Sequence, residues 1–242
     1  MPLAIALLDA SLGTTHTRRN FLREVHNNPA LDARLRVFDV NDGTLPPSLA
    51  PPETPFDAAI ITGSQASVYD NRPWIAPLKA HVRDGLAAGL PMLGVCWGHQ
   101  LLAEVLGGRV ENGDYELGYV SVESATSEPF AGDPLFEGIP SPFTVFATHA
   151  DHVVEMPPGA TVLACNDASV QAFRKGPAVG VQFHPEYDRD TAHTMIRAKK
   201  LPAARLDAAR ATCTDANVRA AQKPKRLFAN FCAQVRAAHG VQ

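Results

Sequence analysis

The stretch Met92-Leu93-Gly94-Val95-Cys96-Trp97-Gly98-His99-Gln100-Leu101-Leu102 decides how this chain is read. Pro91 to Val95 has the length and apolar content of a buried strand, and a helical pattern from Gln100 to Leu106 follows at once. Cys96 sits at the junction, with Gly94 and Gly98 on either side. A strand-to-helix turn this tight excludes bulky neighbours and lifts the sulfur out of the sheet, forming a nucleophile elbow with cysteine in place of serine. The positive end of the helix dipole there favours thiolate over thiol. A buried structural cysteine is the alternative, but it leaves the flanking glycines unexplained.

Working outward, strands and helices alternate. Leu3 to Leu8 is a continuous apolar run, as expected of a strand covered on both faces. Arg18 to Val25 has helical spacing, and Leu35 to Val40 is a second strand closed by Asn41-Asp42-Gly43. A proline-rich surface loop (Leu45 to Pro55) leads to a third strand, Phe56 to Thr62, stopped by Gly63-Ser64. Pro73 to Ala88 reads as a helix with proline in its first turn and Gly89 just past its end. This order predicts an α/β fold, a mostly parallel central sheet with helices on both faces. Ligands in such folds sit at the carboxyl ends of the strands, where both Cys96 and Thr62-Gly63-Ser64 lie.

From Arg109 the pattern changes. Tyr119 to Glu123, Phe143 to Ala147, Thr161 to Ala164, Val170 to Phe173 and Ala178 to Phe183 are short strands separated by Gly, Pro and Asn, which predicts a small antiparallel extension of the sheet. Helices are expected over Asp190 to Lys199 and Leu227 to His239, with residues 200–225 open between helix and loop. The expected organisation is one domain over 1–242, its core about 1–190 and a C-terminal helical segment about 190–242.

With 242 residues, 45% hydrophobic and 19% charged, the chain can bury a sizeable core and is not disordered. A net charge of −3 and the lack of a basic stripe argue against a nucleic-acid partner. Lys223-Pro224-Lys225-Arg226, the densest basic patch, reads as a solvated helix start. The first residues, Met1 to Asp9, read as a buried strand and lack the basic region and cleavage site of a signal peptide. No apolar run approaches the ~18 residues of a membrane span. The four cysteines (Cys96, Cys165, Cys213, Cys232) lie far apart without metal-ligand spacing, so free thiols in a reducing cytoplasm are expected.

The second informative stretch is Gly180-Val181-Gln182-Phe183-His184-Pro185-Glu186-Tyr187. A strand delivers His184, proline ends the ladder, and period-two alternation brings Glu186 to the same side. The carboxylate can then hold the imidazole by hydrogen bond, fixing its tautomer and supporting an imidazolium.

Gly-Val-Cys-Trp-Gly-His-Gln followed later by Gln-Phe-His-Pro-Glu resembles the class I (triad-type) glutamine amidotransferase family, in particular the glutaminase domain of GMP synthetase. The resemblance runs from the first strand to His-Pro-Glu and implies the flavodoxin-like fold of that family. It implies Cys96 as the nucleophile that attacks a side-chain amide to give a γ-glutamyl thioester and ammonia, His184 as the base that then protonates the leaving amine, and Glu186 as the orienter. An oxyanion hole would use the N–H of Trp97 and that of the Gly63-Ser64 loop, where the family usually carries two consecutive glycines and this chain has Ser64 second. A plain turn glycine is the lesser alternative for Gly63 taken alone. Gln100 matches the family's glutamine past the elbow. Thr148-His149-Ala150-Asp151 matches the Ser-His-Gly-Asp segment of the same pocket, with Thr148 and Ala150 as departures. Gln100, Thr148 and His149 are therefore the expected substrate-binding residues.

A metal site built from His149, Asp151, His152 and His184 is the competing reading, but the spacing fits no specific ligand motif; no metal or cofactor is expected. His99 reads as a structural first-turn residue of the helix. The stretch Thr62 to Trp74 resembles stand-alone members of the superfamily, including plant γ-glutamyl peptidases, with Tyr69 and Trp74 either over the active-site rim or anchoring the loop. No Walker-type phosphate loop is present and the C-terminal helices are short for a synthetase. The expected function is thus a stand-alone enzyme hydrolysing or transferring the γ-glutamyl group of glutamine or another small γ-glutamyl compound. The alternatives are a glutaminase subunit with a synthetase partner, and a non-catalytic binding or sensor protein on the same fold. A homodimer is a further possible assembly.

Overall fold

The computed structural model describes residues 1–13 and 16–240. Among the described residues, nine strands form one sheet in the order β2-β1-β3-β4-β9-β8-β7-β5-β6. Strands β1 (Leu3–Asp9), β2 (Ala33–Asp39), β3 (Ala58–Ile61), β4 (Met92–Val95) and β9 (Ala178–Val181) run parallel. From β9 outward, β8 (Val170–Lys175), β7 (Thr161–Cys165), β5 (Arg109–Ser124) and β6 (Phe143–Glu155) pair antiparallel. The parallel centre and antiparallel extension agree with the sequence reading.

Period two along the strands divides the core. Leu3, Ile5 and Leu7 of β1 and Ala58 and Ile60 of β3 face one side of the sheet, where they pack with Phe21 of helix α1 (His16–Phe21) and with Leu227, Phe228, Phe231 and Val235 of helix α7 (Arg226–Ala238). Ala6, Leu8, Ala59 and Ile61 face the other side, against Leu78 and Val82 of α2 (Ile75–Ala87) and Leu101 and Leu102 of α3 (Trp97–Val105). The last helix therefore closes the sheet face at β1. A smaller third cluster joins Tyr119 and Phe146 of the β5/β6 hairpin to Ala192, Met195 and Ile196 of α4 (Arg189–Ala198) and Ala209 of α5 (Ala203–Ala211).

Several elements differ from the sequence reading. Helix α1 passes into a π-helical turn, Leu22–His26. Helix α3 begins at Trp97, directly after Cys96, and not at Gln100. The segment left open at 200–225 holds two short helices, α5 and α6 (Asp215–Ala220). At the Lys223–Arg226 patch Pro224 is buried and Lys225 is partly buried, its ammonium held by Glu24 at 2.6 Å. The largest difference is the hairpin. β5 and β6 extend far beyond Tyr119–Glu123 and Phe143–Ala147, because β5 opens with a polar, exposed stretch held by strand pairing, with a bulge between Asn112 and Glu116. No helix among the described residues is long and apolar enough to cross a membrane.

The junction of β4 and α3 is the tightest point. Cys96 adopts φ 53° and ψ −105°, a positive φ that costs a non-glycine residue strain. It is pinned there: its N–H donates to the Val181 carbonyl at 2.8 Å, and its carbonyl accepts from Gln100 N–H at 3.1 Å. A Cβ at Gly94 would lie 2.4 Å from the Gly98 carbonyl oxygen, and one at Gly98 would lie 2.4 Å from that of Ile61. Both obstacles are backbone, so no side chain can swing aside. Gly98→Ala is expected to destabilise the fold by about 2 kcal/mol or more, read as a lowered Tm by circular dichroism. An unchanged Tm would mean that α3 can back away from β3.

Candidate active site

Cys96 is buried at the N-terminus of α3. The parallel register Val95↔Val181 carries the end of β9 alongside it. Three residues on, His184 N–H donates to the Phe146 carbonyl at 2.8 Å, an isolated bridge that fixes the segment between β4 and β6. His184 Nδ1 meets Glu186 Oε1 at 2.8 Å, leaving Nε2 for the thiol. Gly63 lies against both groups: a Cβ there would be 2.9 Å from His184 Cε1 and 3.6 Å from Cys96 Cβ. Gly63 is thus required by close approach, and not merely as a turn residue.

Burial works against a charge on His184. The negative charges of Glu186 and Cys96, and hydrogen bonds to both, outweigh it and hold the imidazole pKa up to about 10. Glu186 is fully buried, and its backbone carbonyl accepts from Arg23 Nη2 at 2.8 Å. Arg23 also pairs with Asp188, whose carboxylate caps α4 by accepting from Thr191 N–H at 2.7 Å. Burial opposes that charge too, but Thr191 and Arg23 bring the Asp188 pKa down to about 2. Tyr187 stacks on the His184 ring, centroids 4.2 Å apart and 22° from parallel.

In front of Cys96 lies a polar cavity of about 240 Å³, whose wall includes Ser64, Gln100, Thr148, His149, Asp151 and Lys199. Of the six expected residues beyond the Cys-His-Glu set, four (Ser64, Gln100, Thr148 and His149) line the cavity, whereas Gly63 abuts Cys96 and Trp97 follows it in the chain. Ser64 Oγ accepts from Ala66 N–H at 3.2 Å, which shapes the loop. The Trp97 ring packs against Trp74 at 5.2 Å and is buried away from the cavity. Gln100 Nε2 donates to the Asp151 carbonyl at 2.9 Å and to Gln182 Oε1 at 3.1 Å. Thr148 Oγ1 and the Tyr115 hydroxyl are 3.1 Å apart.

His149 is anchored on both sides, Nε2 to Glu116 Oε2 at 2.9 Å and Nδ1 near the Asp151 carbonyl at 3.2 Å. Burial lowers its pKa in spite of Glu116. Burial opposes the charge on Glu116, yet His149, Asn166 and Gln171 together hold its pKa below the usual range. In the competing metal reading, one ring nitrogen of each histidine is already engaged: His149 Nε2 by Glu116, His152 Nε2 by the Asp114 carbonyl and His184 Nδ1 by Glu186. His99 packs on Phe173 with centroids 5.0 Å apart, and burial drives its pKa down to about 3, so it stays neutral. Tyr69 reaches across the rim, its hydroxyl donating to Asp151 Oδ1 at 2.9 Å.

Sequence reading missed Glu116, Gln171, Gln182, Tyr115 and Lys199. A signal existed for Gln182, a polar residue between Val181 and Phe183 in a buried run. None existed for Glu116 or Lys199, whose positions depend on the hairpin bulge and on where α4 stops.

The family profile described as glutamine amidotransferase class-I matches residues 22–202. A subunit of the GMP synthase (glutamine-hydrolyzing) of Halobacterium salinarum is 38% identical over 183 residues, 74% of this chain and 85% of that protein. Gamma-glutamyl-L-1-hydroxyisopropylamide hydrolase of a Pseudomonas sp is 35% identical over 149 residues, 58% of this chain and 50% of that one. The match to GMP synthase (glutamine-hydrolyzing) of Pyrobaculum aerophilum, 40% identical over 131 residues, takes in 53% of this chain but spans only 24% of the relative's length. In fold, the chain is similar to a glutamine amidotransferase from Methylobacillus flagellatus, with a TM-score of 0.73, 24% identity and coverage of 100% of this chain and 95% of that one.

The His184 charge has a measurable consequence. With a folded-state pKa of about 10 against 6.5 for a free imidazole, protonation stabilises the fold fully below about pH 6.5, and that contribution is lost as pH rises through about 10. An NMR titration of the His184 ring is expected to show this raised midpoint and a lower one in Glu186→Gln. A wild-type midpoint near 6.5 would mean that no ion pair forms.

Proposed function

The chain belongs to the class-I glutamine amidotransferase family, and from this premise we propose that it is a free-standing cysteine enzyme acting on small γ-glutamyl amides. The observation that carries the reading is a buried imidazole and carboxylate set against a buried thiol that opens onto the cavity. The Cys96 thiolate attacks the γ-carboxamide carbon, and the carbonyl π electrons move onto oxygen. The N–H groups of Trp97 and of the Gly63-Ser64 loop receive that negative oxygen. As the tetrahedral intermediate collapses, the C–N bond breaks and the His184 imidazolium gives its Nε2 proton to the leaving amine. The neutral imidazole then takes a proton from water, whose oxygen attacks the thioester. Expulsion of thiolate restores the ion pair. Glu186 on Nδ1 keeps the ring in one orientation and supports its charge throughout.

Preference for a free-standing enzyme rests on the departures from the family's usual residues. Ser64, Thr148 and Ala150 all line the cavity, where they would alter which γ-glutamyl compound fits. Likeness to the Pseudomonas hydrolase supports the same reading. The second reading, a glutaminase subunit feeding ammonia to a separate synthetase, is favoured by the likeness to the Halobacterium GMP synthase subunit over most of that protein. Free thiols at all four cysteines suit a reducing cytoplasm.

The test is ammonia or amine release from L-glutamine and γ-glutamyl dipeptides by the purified chain, beside Cys96→Ser. Turnover by the wild type alone, abolished in the variant, is expected; activity retained in Cys96→Ser would overturn the mechanism. A silent wild type whose Cys96 is still labelled selectively by a glutamine-like affinity reagent would favour the subunit reading. Among partners of the nucleophile, His184→Asn is expected to cost about 10²–10⁴ in kcat, and Glu186→Gln distinctly less. The opposite ranking would reassign the two roles.

A further inference from the structure

Two side chains in the cavity wall, one basic and one acidic, have no part in the steps above. Lys199 lies just past α4, which ends at Ala198; its backbone is extended at φ −78° and ψ 139°. Its Nζ sits 5.3 Å from the centroid of the Tyr115 ring, and the Tyr115 hydroxyl meets Thr148 Oγ1. The lysine is thereby located against the cavity wall, yet its ammonium makes no hydrogen bond or ion pair among the described residues. Lys79 and Lys225, by contrast, pair with Glu104 and Glu24. On the same cavity Asp151 is held by two donors on one oxygen, Tyr69 Oη at 2.9 Å and Asn112 Nδ2 at 3.1 Å, both to Oδ1. Its Oδ2 is not engaged by any described residue.

We propose that Lys199 and Asp151 together recognise the α-amino-acid end of the substrate, Lys199 taking its carboxylate and Asp151 its ammonium. This rests on the reading of the cavity as a γ-glutamyl amide site. A γ-glutamyl group carries one carboxylate and one ammonium on the carbon furthest from the scissile amide, and among the described residues the wall offers one free cation and one free carboxylate oxygen to match them. The aromatic face beneath Lys199 restrains the side chain without using its N–H donors, so all three remain for a carboxylate. A simple primary or alkyl amide lacks both charges and would leave both wall groups unpaired. Lys199 is a binding residue selecting γ-glutamyl amides over other amides.

Calorimetry on the full chain carrying Cys96→Ser separates binding from turnover. Three probes suffice: L-glutamine, 4-aminobutanamide (no carboxylate) and glutaramate (no ammonium). Glutamine is expected to bind at least about ten-fold more tightly than either analogue, the worth of one charge-assisted hydrogen bond. Adding Lys199→Met should bring glutamine down to the level of 4-aminobutanamide, itself unchanged, and Lys199→Arg should restore part of the difference. Adding Asp151→Asn, which keeps an acceptor for Tyr69 and Asn112, should remove the advantage over glutaramate alone. If glutamine keeps its advantage over 4-aminobutanamide without Lys199, the inference is overturned while the proposed function stands. If no probe binds and the wild type turns over no γ-glutamyl amide, both are overturned.

Discussion

The site depends on how closely helix α3 approaches the sheet. Gly94 and Gly98 let the first turn of α3 lie against β3 and β4 at distances no side chain would permit. Gly180 performs the same service on β9, where a Cβ would sit 2.7 Å from His99 Nδ1. The approach puts Cys96 at a positive φ, and the strain is held by the Val181 carbonyl on its N–H. Because that hydrogen bond comes from β9, the same contact that strains Cys96 sets its distance from the segment bearing His184. The packing of α3 and the geometry of the thiol-imidazole pair are one constraint.

Charge at the site is placed with similar economy. A fully buried carboxylate such as Glu186 carries a desolvation penalty of several kcal/mol. The His184 imidazolium offsets it, and the imidazolium is in turn held charged by Glu186 and by Cys96. Arg23 braces the arrangement from outside, on the Glu186 carbonyl and the Asp188 carboxylate, without reaching the reacting atoms. Tyr187 covers the ring and is itself kept neutral by burial. The result is a charged pair shielded from water, beside a thiol that lines the cavity.

The parallel half of the fold and the proximity of His184 to Glu186 were legible because each is encoded locally. Apolar runs such as Leu3 to Leu8 and glycines flanking Cys96 state their structure within a few residues, and His184 and Glu186 stand two apart. The hairpin was legible only in its apolar half. Its other half, Arg109 to Tyr115, is polar and exposed apart from the buried Val110 and the half-buried Tyr115, and becomes strand through pairing with β6, a partner far along the chain. Helix α5 was hidden for a related reason: Ala203–Ala211 buries only Ala209, so its sequence carries almost no amphipathic signature.

That division follows the chemistry. Attack and proton transfer need the same few groups at the same separations whatever the substrate, so they can be fixed by short segments that read alike from chain to chain. Recognition of one substrate needs a wall of particular shape and charge. The cavity wall in this chain is built from distant pieces: the loop after β3, the bulge of β5, the middle of β6 and the residue just past α4. Glu116 illustrates the difference. It touches no reacting atom, but by collecting hydrogen bonds from His149, Asn166 and Gln171 it ties the β6 wall to β8, and with it the cavity-lining Thr148 and Asp151 on either side of His149. A residue acting only through strand register and buried hydrogen bonds has no local sequence signature. The cavity wall is therefore the part of this molecule that coordinates reveal and a sequence by itself conceals.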